Sequence, residues 1–445
     1  MLFDDIGLLA PEILLPRKGV DLTKWAVVAC DQYTSQPEYW ERVRDFVGQS
    51  PSTFHIILPE AYLEECDNEE ASRRINACMR EYLHHGTLAP QRPGFILVDR
   101  VTARGNSRKG LVVALDLERY DFHEGSRSLI RATEGTVIER LPPRIKIRQD
   151  APIESPHIMV LIDDPGRTVI EPLFGAGLQK VYDFDLMEES GHITGYLVDG
   201  EGSINGVARA LRDLAKPDAC REKYQVDEEA VLLYAMGDGN HSLATAKEIW
   251  ENLKRSSPDR EAAMRHPARY ALVELVNLHD EALTFEPIDR VVFNCGFDRM
   301  LDGMERYYRA QGSTFSFSLN APGEDFTPIP QKVADTHRIS FVTRDSCGVI
   351  SIGRPSHSLE VGTLQNFLDR YMQERTEVKI DYIHGVETVR GLASRPDTVG
   401  FFLPAISKFD FFRTIIVDGV LPRKTFSMGH ADEKRFYLEC RKITG

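Results

Sequence analysis

Asp238, Asn240, His241 and Ser242 stand together in the string Gly237-Asp238-Gly239-Asn240-His241-Ser242, and together they offer the groups that phosphate chemistry uses. A carboxylate binds a metal ion or accepts a proton, an imidazole titrates near neutrality, and amide and hydroxyl groups hydrogen-bond phosphate oxygens. Residues 231–236 form an apolar run that reads as a buried strand. After the turn permitted by Gly237 and Gly239, residues Leu243, Ala246, Ile249, Trp250 and Leu253 recur on one face of a helix. The string is therefore expected at a strand's C-terminal end and a helix's start, where ligands of open α/β sheets collect and free N–H groups attract anions. The plainer alternative is that Asp238 or Ser242 caps the helix and His241 is a solvated residue of its first turn.

Other residues of suitable type lie further along the chain. In Ala29-Cys30-Asp31-Gln32-Tyr33-Thr34-Ser35, Asp31 follows an apolar run at 26–29 and is a second acid-base or metal candidate. Cys30 has no base near it in sequence and reads as a core thiol. Arg127, Arg131, Arg140, Arg144, Lys146 and Arg148 outnumber Glu134 and Glu139 in their segment. After Pro142-Pro143, Arg144-Ile145-Lys146-Ile147-Arg148 alternates, so a strand there would show its cations on one face. Such a stripe suits a phosphorylated ligand, or equally a solvated face laced with salt bridges. Arg423 and Lys424, before an expected helix at 431–441, could close over an anionic ligand or pair with surface acids.

The elements needed to position these groups can be read in outline. Strands are expected at 26–29, 54–58, 94–98, 111–115, 231–236 and 270–278, with a hairpin pairing 158–162 to 168–170. Helices are expected at 37–47, 69–84, 204–216, 242–254 and 363–375. The alternation implies an α/β or α+β fold of mixed sheets with flanking helices, in two to three lobes. Polar stretches at 216–228 and 321–335 read as connectors. They divide the chain into an N-terminal α/β lobe with the basic strand (1–225), a strand-loop-helix lobe carrying the Asp238 box (226–330) and a C-terminal α/β lobe packing back on the site (331–445).

Several classes lose ground on composition and motif. A net charge of −14 over 445 residues repels polyanions, so nucleic acid is disfavoured as a partner. Seven scattered cysteines without a C-x-x-C pair indicate reduced thiols, the acidic N-terminus lacks the pattern of a secretory signal, and no apolar run is long enough for a membrane span. A cytoplasmic protein is expected. Ser242 spoils a G-x-G-x-x-G/A reading of the loop, and no P-loop, zincin, serine-hydrolase or protein-kinase signature occurs. The histidines lack zinc-ligand spacing with the cysteines.

Residues 25–33, 131–148, 237–247, 381–385 and 421–441 resemble an uncharacterised prokaryotic family, domain of unknown function 1015, over nearly the whole chain. Asp238-Gly239-Asn240-His241-Ser242 also resembles the D-G-x-H-R box of the ParB/sulfiredoxin-like superfamily, which includes free-serine kinases, with Ser242 in place of the usual Arg. That resemblance implies a ParB/sulfiredoxin-like portion and a phosphate-holding box. The function expected is a metabolite kinase-like phosphotransferase for free serine or a similar hydroxylated metabolite, with Mg²⁺ and a nucleotide or pyrophosphate donor. Asp238 would serve metal or proton transfer alongside His241, with Asp31 as reserve base. Gly239, Asn240, Ser242, Arg144, Arg148, Arg423 and Lys424 would hold phosphate. The alternatives are a non-catalytic nucleotide or phosphometabolite sensor and, third, a nucleic-acid-acting protein.

Overall fold

Long apolar strands with alternate residues facing opposite sides need cover on both faces, and the first part of the chain provides it. The computed structural model describes residues 1–444 apart from 64–66, 124, 137, 227–230, 321–327 and 329–332. The chain forms two compact units, Met1–Leu283 with Gly429–Gly445, and Thr284–Met428. The expected segments 1–225, 226–330 and 331–445 cut across these units, because residues 429–445 return to the first.

The first unit is built on an 11-stranded mixed sheet. Its main path runs Gln179–Asp185, Gly191–Val198, Phe95–Thr102, Ser107–Asp116, Tyr270–Asn277, Met159–Ile162, Tyr234–Asp238, Ile130–Arg131 and Tyr120–Asp121. Leu97, Leu111 and Val113 enter one apolar cluster, and Ile96, Val98 and Val112 enter another. Each such side chain contributes about 1.5–3 kcal/mol when fully buried. The helix Asn240–Ser256 lays Leu243, Ala246 and Trp250 into the first cluster, and Pro37–Val47 and Asn68–His84 line the second. The mixed α/β architecture with flanking helices is as expected.

The second unit carries a 6-stranded sheet in the order Thr314–Leu319, Cys347–Gly353, Thr336–Val342, Thr398–Phe402, Asp289–Phe293 and Lys379–Ile383, every pairing antiparallel. Among its helices are Phe297–Ala310 and Glu360–Glu374.

Four expectations fail for identifiable reasons. The supposed basic strand is the helix Leu141–Arg148. Pro142 and Pro143 sit in its first turn, where a missing N–H costs nothing, and Arg144 and Arg148 fall one turn apart. Residues 54–58 do not form a strand, since Ser52 accepts the Phe54 N–H and starts the turn Thr53–Ile56. The hairpin at 158–170 is absent. The Asp164 carboxylate accepts the Thr168 and Val169 N–H groups, and Met159–Ile162 pairs with Tyr234–Asp238 and Tyr270–Asn277 instead. The expected helix at 431–441 is a short turn followed by extended chain, in which Phe436, Leu438 and Cys440 point alternately into an apolar cluster. Of the connectors, 216–228 contains the helix Pro217–Tyr224, and most of 321–335 lies outside the described residues.

Candidate functional site

The strand Tyr234–Asp238 lies parallel to Ile130–Arg131 and antiparallel to Met159–Ile162. Its C-terminal end therefore opens beside the chain that leaves Arg131. Gly239 then turns with φ +82, and a Cβ there would lie 3.1 Å from the Ile158 Cα, so both backbone angle and space demand glycine. The helix Asn240–Ser256 starts at once, with Gly239 at its N-cap and no side-chain hydrogen bond capping it.

Asp238 therefore does something other than cap. Its Oδ1 accepts the Gly239 N–H at 3.0 Å, and its Oδ2 pairs with Lys434 Nζ at 3.0 Å. Burial pushes its carboxyl up, but the Lys434 ammonium, His157 and the Gly239 N–H outweigh that and hold it below the usual carboxylate range. Asn240 reaches the neighbouring strand end, accepting the Thr133 N–H at 3.3 Å and donating to its hydroxyl at 3.4 Å. His241 and Ser242 are half-buried in the first helical turn, and the His241 carbonyl accepts the Thr245 hydroxyl at 2.7 Å.

Asp31 belongs to the same constellation through His157. The imidazole Nε2 lies 3.8 Å from Asp31 Oδ2, and Nδ1 is 2.6 Å from the Tyr437 hydroxyl, which donates to Cys30 Sγ at 3.0 Å. Burial, followed by Asp31, pushes the Cys30 thiol up to about 12, so it stays protonated and is no nucleophile at neutral pH. Burial also drives the Tyr437 phenol well above its ordinary value.

Arg144 pairs with Glu60, whose N–H donates to the Cys30 carbonyl at 2.8 Å, so this cation stands beside the Cys30–Asp31 turn. Arg148 goes elsewhere. It meets the buried Glu154, which also accepts Arg441 Nε at 2.7 Å and the Leu272 N–H at 2.9 Å. Arg423 and Lys424 belong to the second unit, where Arg423 pairs with Asp369 and its carbonyl accepts Arg290 at 3.0 Å, while Lys424 is exposed at a positive φ of 55. The described residues contain no group of three or more His, Cys, Asp or Glu able to hold a metal. This does not weigh against Mg²⁺, which usually takes one or two carboxylates plus phosphate oxygens and water.

Sequence reasoning missed Lys434, His157, Tyr437 and Thr133. Lys434 lay within the quoted segment 421–441, but it stands between the charged Glu433 and Arg435 and no pattern sets it apart. His157 immediately precedes the expected strand 158–162 but has no motif around it.

The family model described as protein of unknown function (DUF1015) matches residues 14–371, and the chain belongs to that family. No curated protein matches the sequence. Among solved structures, a free serine kinase in complex with AMP is similar at 10% identity, covering 75% of this chain and 91% of that one, with a TM-score of 0.37. A conserved hypothetical protein from Pyrococcus furiosus is similar at 12% identity, 75% and 95% coverage and a TM-score of 0.35. SbnI from Staphylococcus aureus, truncated at its C-terminus, gives 9%, 72% and 82%, and 0.34. Likenesses this slight are no basis for a reaction. No helix among the described residues is long and apolar enough to cross a membrane.

Proposed function

We propose that the Asp238 cluster is the centre of a small-molecule phosphotransferase that uses a nucleotide or pyrophosphate donor and a hydroxylated acceptor such as free serine. The observation that carries this reading is the Lys434–Asp238 pair at 3.0 Å, set where a strand ends and the helix Asn240–Ser256 begins. A cation and helix N–H groups at one point suit a phosphate, and phosphoryl transfer is mostly positioning and charge stabilisation. Serine as acceptor follows from the resemblance of the Asp238 box.

In this scheme Lys434 and Arg144 offset the charge that builds on the transferred group, and Asn240, Ser242 and the Gly239 turn hold its oxygens. Asp31 accepts the acceptor's hydroxyl proton, with His157 orienting it. The acceptor oxygen forms the new P–O bond as the bond to the donor's leaving phosphate breaks. His241 stands in the first turn for proton handling. Once a phosphate draws Lys434 away, Asp238 Oδ2 would be free to hold a Mg²⁺ carried by the donor, which would offset charge on the phosphates. Arg148 is committed to Glu154 and is assigned no phosphate here.

A sensor is the second reading, favoured by one feature. Lys434 and Arg144 are each paired with a carboxylate, so an arriving phosphate would exchange partners and shift the segments that carry them. A thermal-shift screen with ATP, ADP and pyrophosphate, with and without Mg²⁺ and serine, followed by a product assay, separates the readings. A Mg²⁺-dependent shift with a phosphorylated product supports the transferase, a shift without product favours the sensor, and silence with every ligand overturns both.

A further inference from the structure

Tyr33, two residues beyond Asp31, adopts φ 53, a backbone conformation that bulky residues seldom take. The loop holds it there by named bonds. The Gln32 N–H donates to the Ala29 carbonyl at 3.1 Å, the Gln36 N–H to the Tyr33 carbonyl at 3.1 Å, and the Trp40 indole to the Gln32 carbonyl at 3.3 Å. The result is a ring laid flat on Tyr39, with centroids 3.8 Å apart and planes 14° from parallel.

Tyr39 is itself only 3% exposed and meets the fully buried Trp40 edge-on at 5.3 Å. Tyr33 is half-buried, its hydroxyl makes no hydrogen bond among the described residues, and Tyr39 is the only described ring against it. A flat, pre-ordered aromatic with one face backed by a rigid partner offers the other face for stacking at little entropic cost. Burial pushes the Tyr33 phenol up, the carboxylates of Asp432 and Glu188 add to it, and Arg42 works against it. Glu188 pairs with Arg42 at 3.0 Å and Asp432 lies 3.8 Å from Arg104, so the rim carries both charges, and its carboxylates can accept from the amino-bearing edge of a base. Asp432 stands two residues before Lys434, just as Tyr33 stands two after Asp31, so the same two segments carry both the shelf and the phosphate-handling groups.

We propose that the outer face of Tyr33 is the stacking shelf for the nucleobase of a nucleotide, an inference that rests on the nucleotide-donor reading above. It makes the site bipartite, with an aromatic base end at Tyr33 and a cationic phosphate end at Lys434.

The test is calorimetric titration of the full chain with Mg²⁺–ADP and with Mg²⁺–pyrophosphate, for the wild type, Tyr33→Phe and Tyr33→Asn. Asparagine tolerates the left-handed backbone and removes the ring. The expected result is a loss of about tenfold in ADP affinity for Tyr33→Asn, full retention in Tyr33→Phe, and unchanged pyrophosphate affinity in both. A measurement on the wild type alone guards against a variant that fails to fold, since the adenine H2 and H8 resonances of bound ADP must move upfield. Equal ADP affinity in Tyr33→Asn, loss of pyrophosphate binding along with ADP binding, or the absence of an upfield shift would each overturn the shelf. ADP bound through Tyr33 without any phosphorylated product would sink the transferase and leave the shelf standing. Turnover with pyrophosphate alone would do the reverse.

Discussion

Lys434 and Arg435 are neighbours in sequence and have opposite tasks. Arg435 is 2% exposed in its side chain and is fully engaged, pairing with Glu274, with Glu439 at 2.5 Å and with the Pro156 carbonyl at 3.0 Å, while Tyr182 donates to Glu439 at 2.6 Å. Burial works against its charge, but Glu439 and Glu274 more than restore it. Lys434 is 14% exposed and meets one carboxylate that is itself 23% exposed. The comparison separates an ion network that anchors the C-terminal segment from an ion pair that a ligand can reach. A dry, multiply bonded network resists exchange, whereas a pair at the sheet's edge trades partners at modest cost.

The largest effect is expected where the network is cut. Arg435→Met leaves the buried Glu439 without its cation and Glu274 with only Arg108 at 3.9 Å, and should cost about 3–5 kcal/mol. Urea unfolding followed by the fluorescence of the buried Trp25, Trp40 and Trp250 reads this directly, and an unchanged midpoint would dissolve the distinction. Lys434→Met should show the opposite profile. Turnover falls by about 10²–10³-fold, as for other lost charge-stabilising donors, while stability drops by only about 1 kcal/mol.

Acid sharpens the same contrast. The Asp238 carboxyl is held below its unfolded value, so its contribution to stability is present above about pH 4 and is lost as pH falls through the lowered folded value. The stability advantage of wild type over Asp238→Asn should shrink as pH drops from 5 towards 2.5, estimated from the unfolded Asp value of about 3.9. An advantage that does not change with pH would mean that Lys434 does not stabilise the ionised form.

The smallest effect belongs to His192, whose ring bridges Asp185 at 2.7 Å and Asp183 at 2.6 Å. The Asp185 hydrogen bond, with help from Asp183, raises its value. Its contribution is therefore complete below the unfolded value of about 6.5 and is lost as pH rises through the folded one. Because the ring is 38% exposed, His192→Gln should cost less than about 1 kcal/mol at pH 5.5 and nothing at pH 9, with added salt eroding the difference.

Much of this arrangement was legible in the sequence, and the misses share a cause. The strand-turn-helix at Asp238 was readable because an apolar run, two glycines and a helical repeat agree. Helix Pro37–Val47 was readable from Pro37 and its apolar spacing. Residues 141–148 misled because alternation over five residues fits a strand, while the prolines that start a helix lie just outside it. Residues 431–441 misled in the opposite direction. Arg435, Glu439 and Arg441 look like a solvated helix face, yet all three are buried with their partners, and only the fold decides which opposite charges they meet. Lys434 and His157 were invisible for the same reason. Their value comes from Asp238 and Asp31, which lie far from them in the chain.

The most direct test of the central claim is a phosphorus NMR assay of serine with ATP and Mg²⁺, comparing the initial rate of the wild type with that of Asp238→Asn. The account predicts a phosphoserine resonance with wild type and a rate lower by about 10²-fold or more in the variant. Phosphoserine formed at an undiminished rate by Asp238→Asn would contradict it.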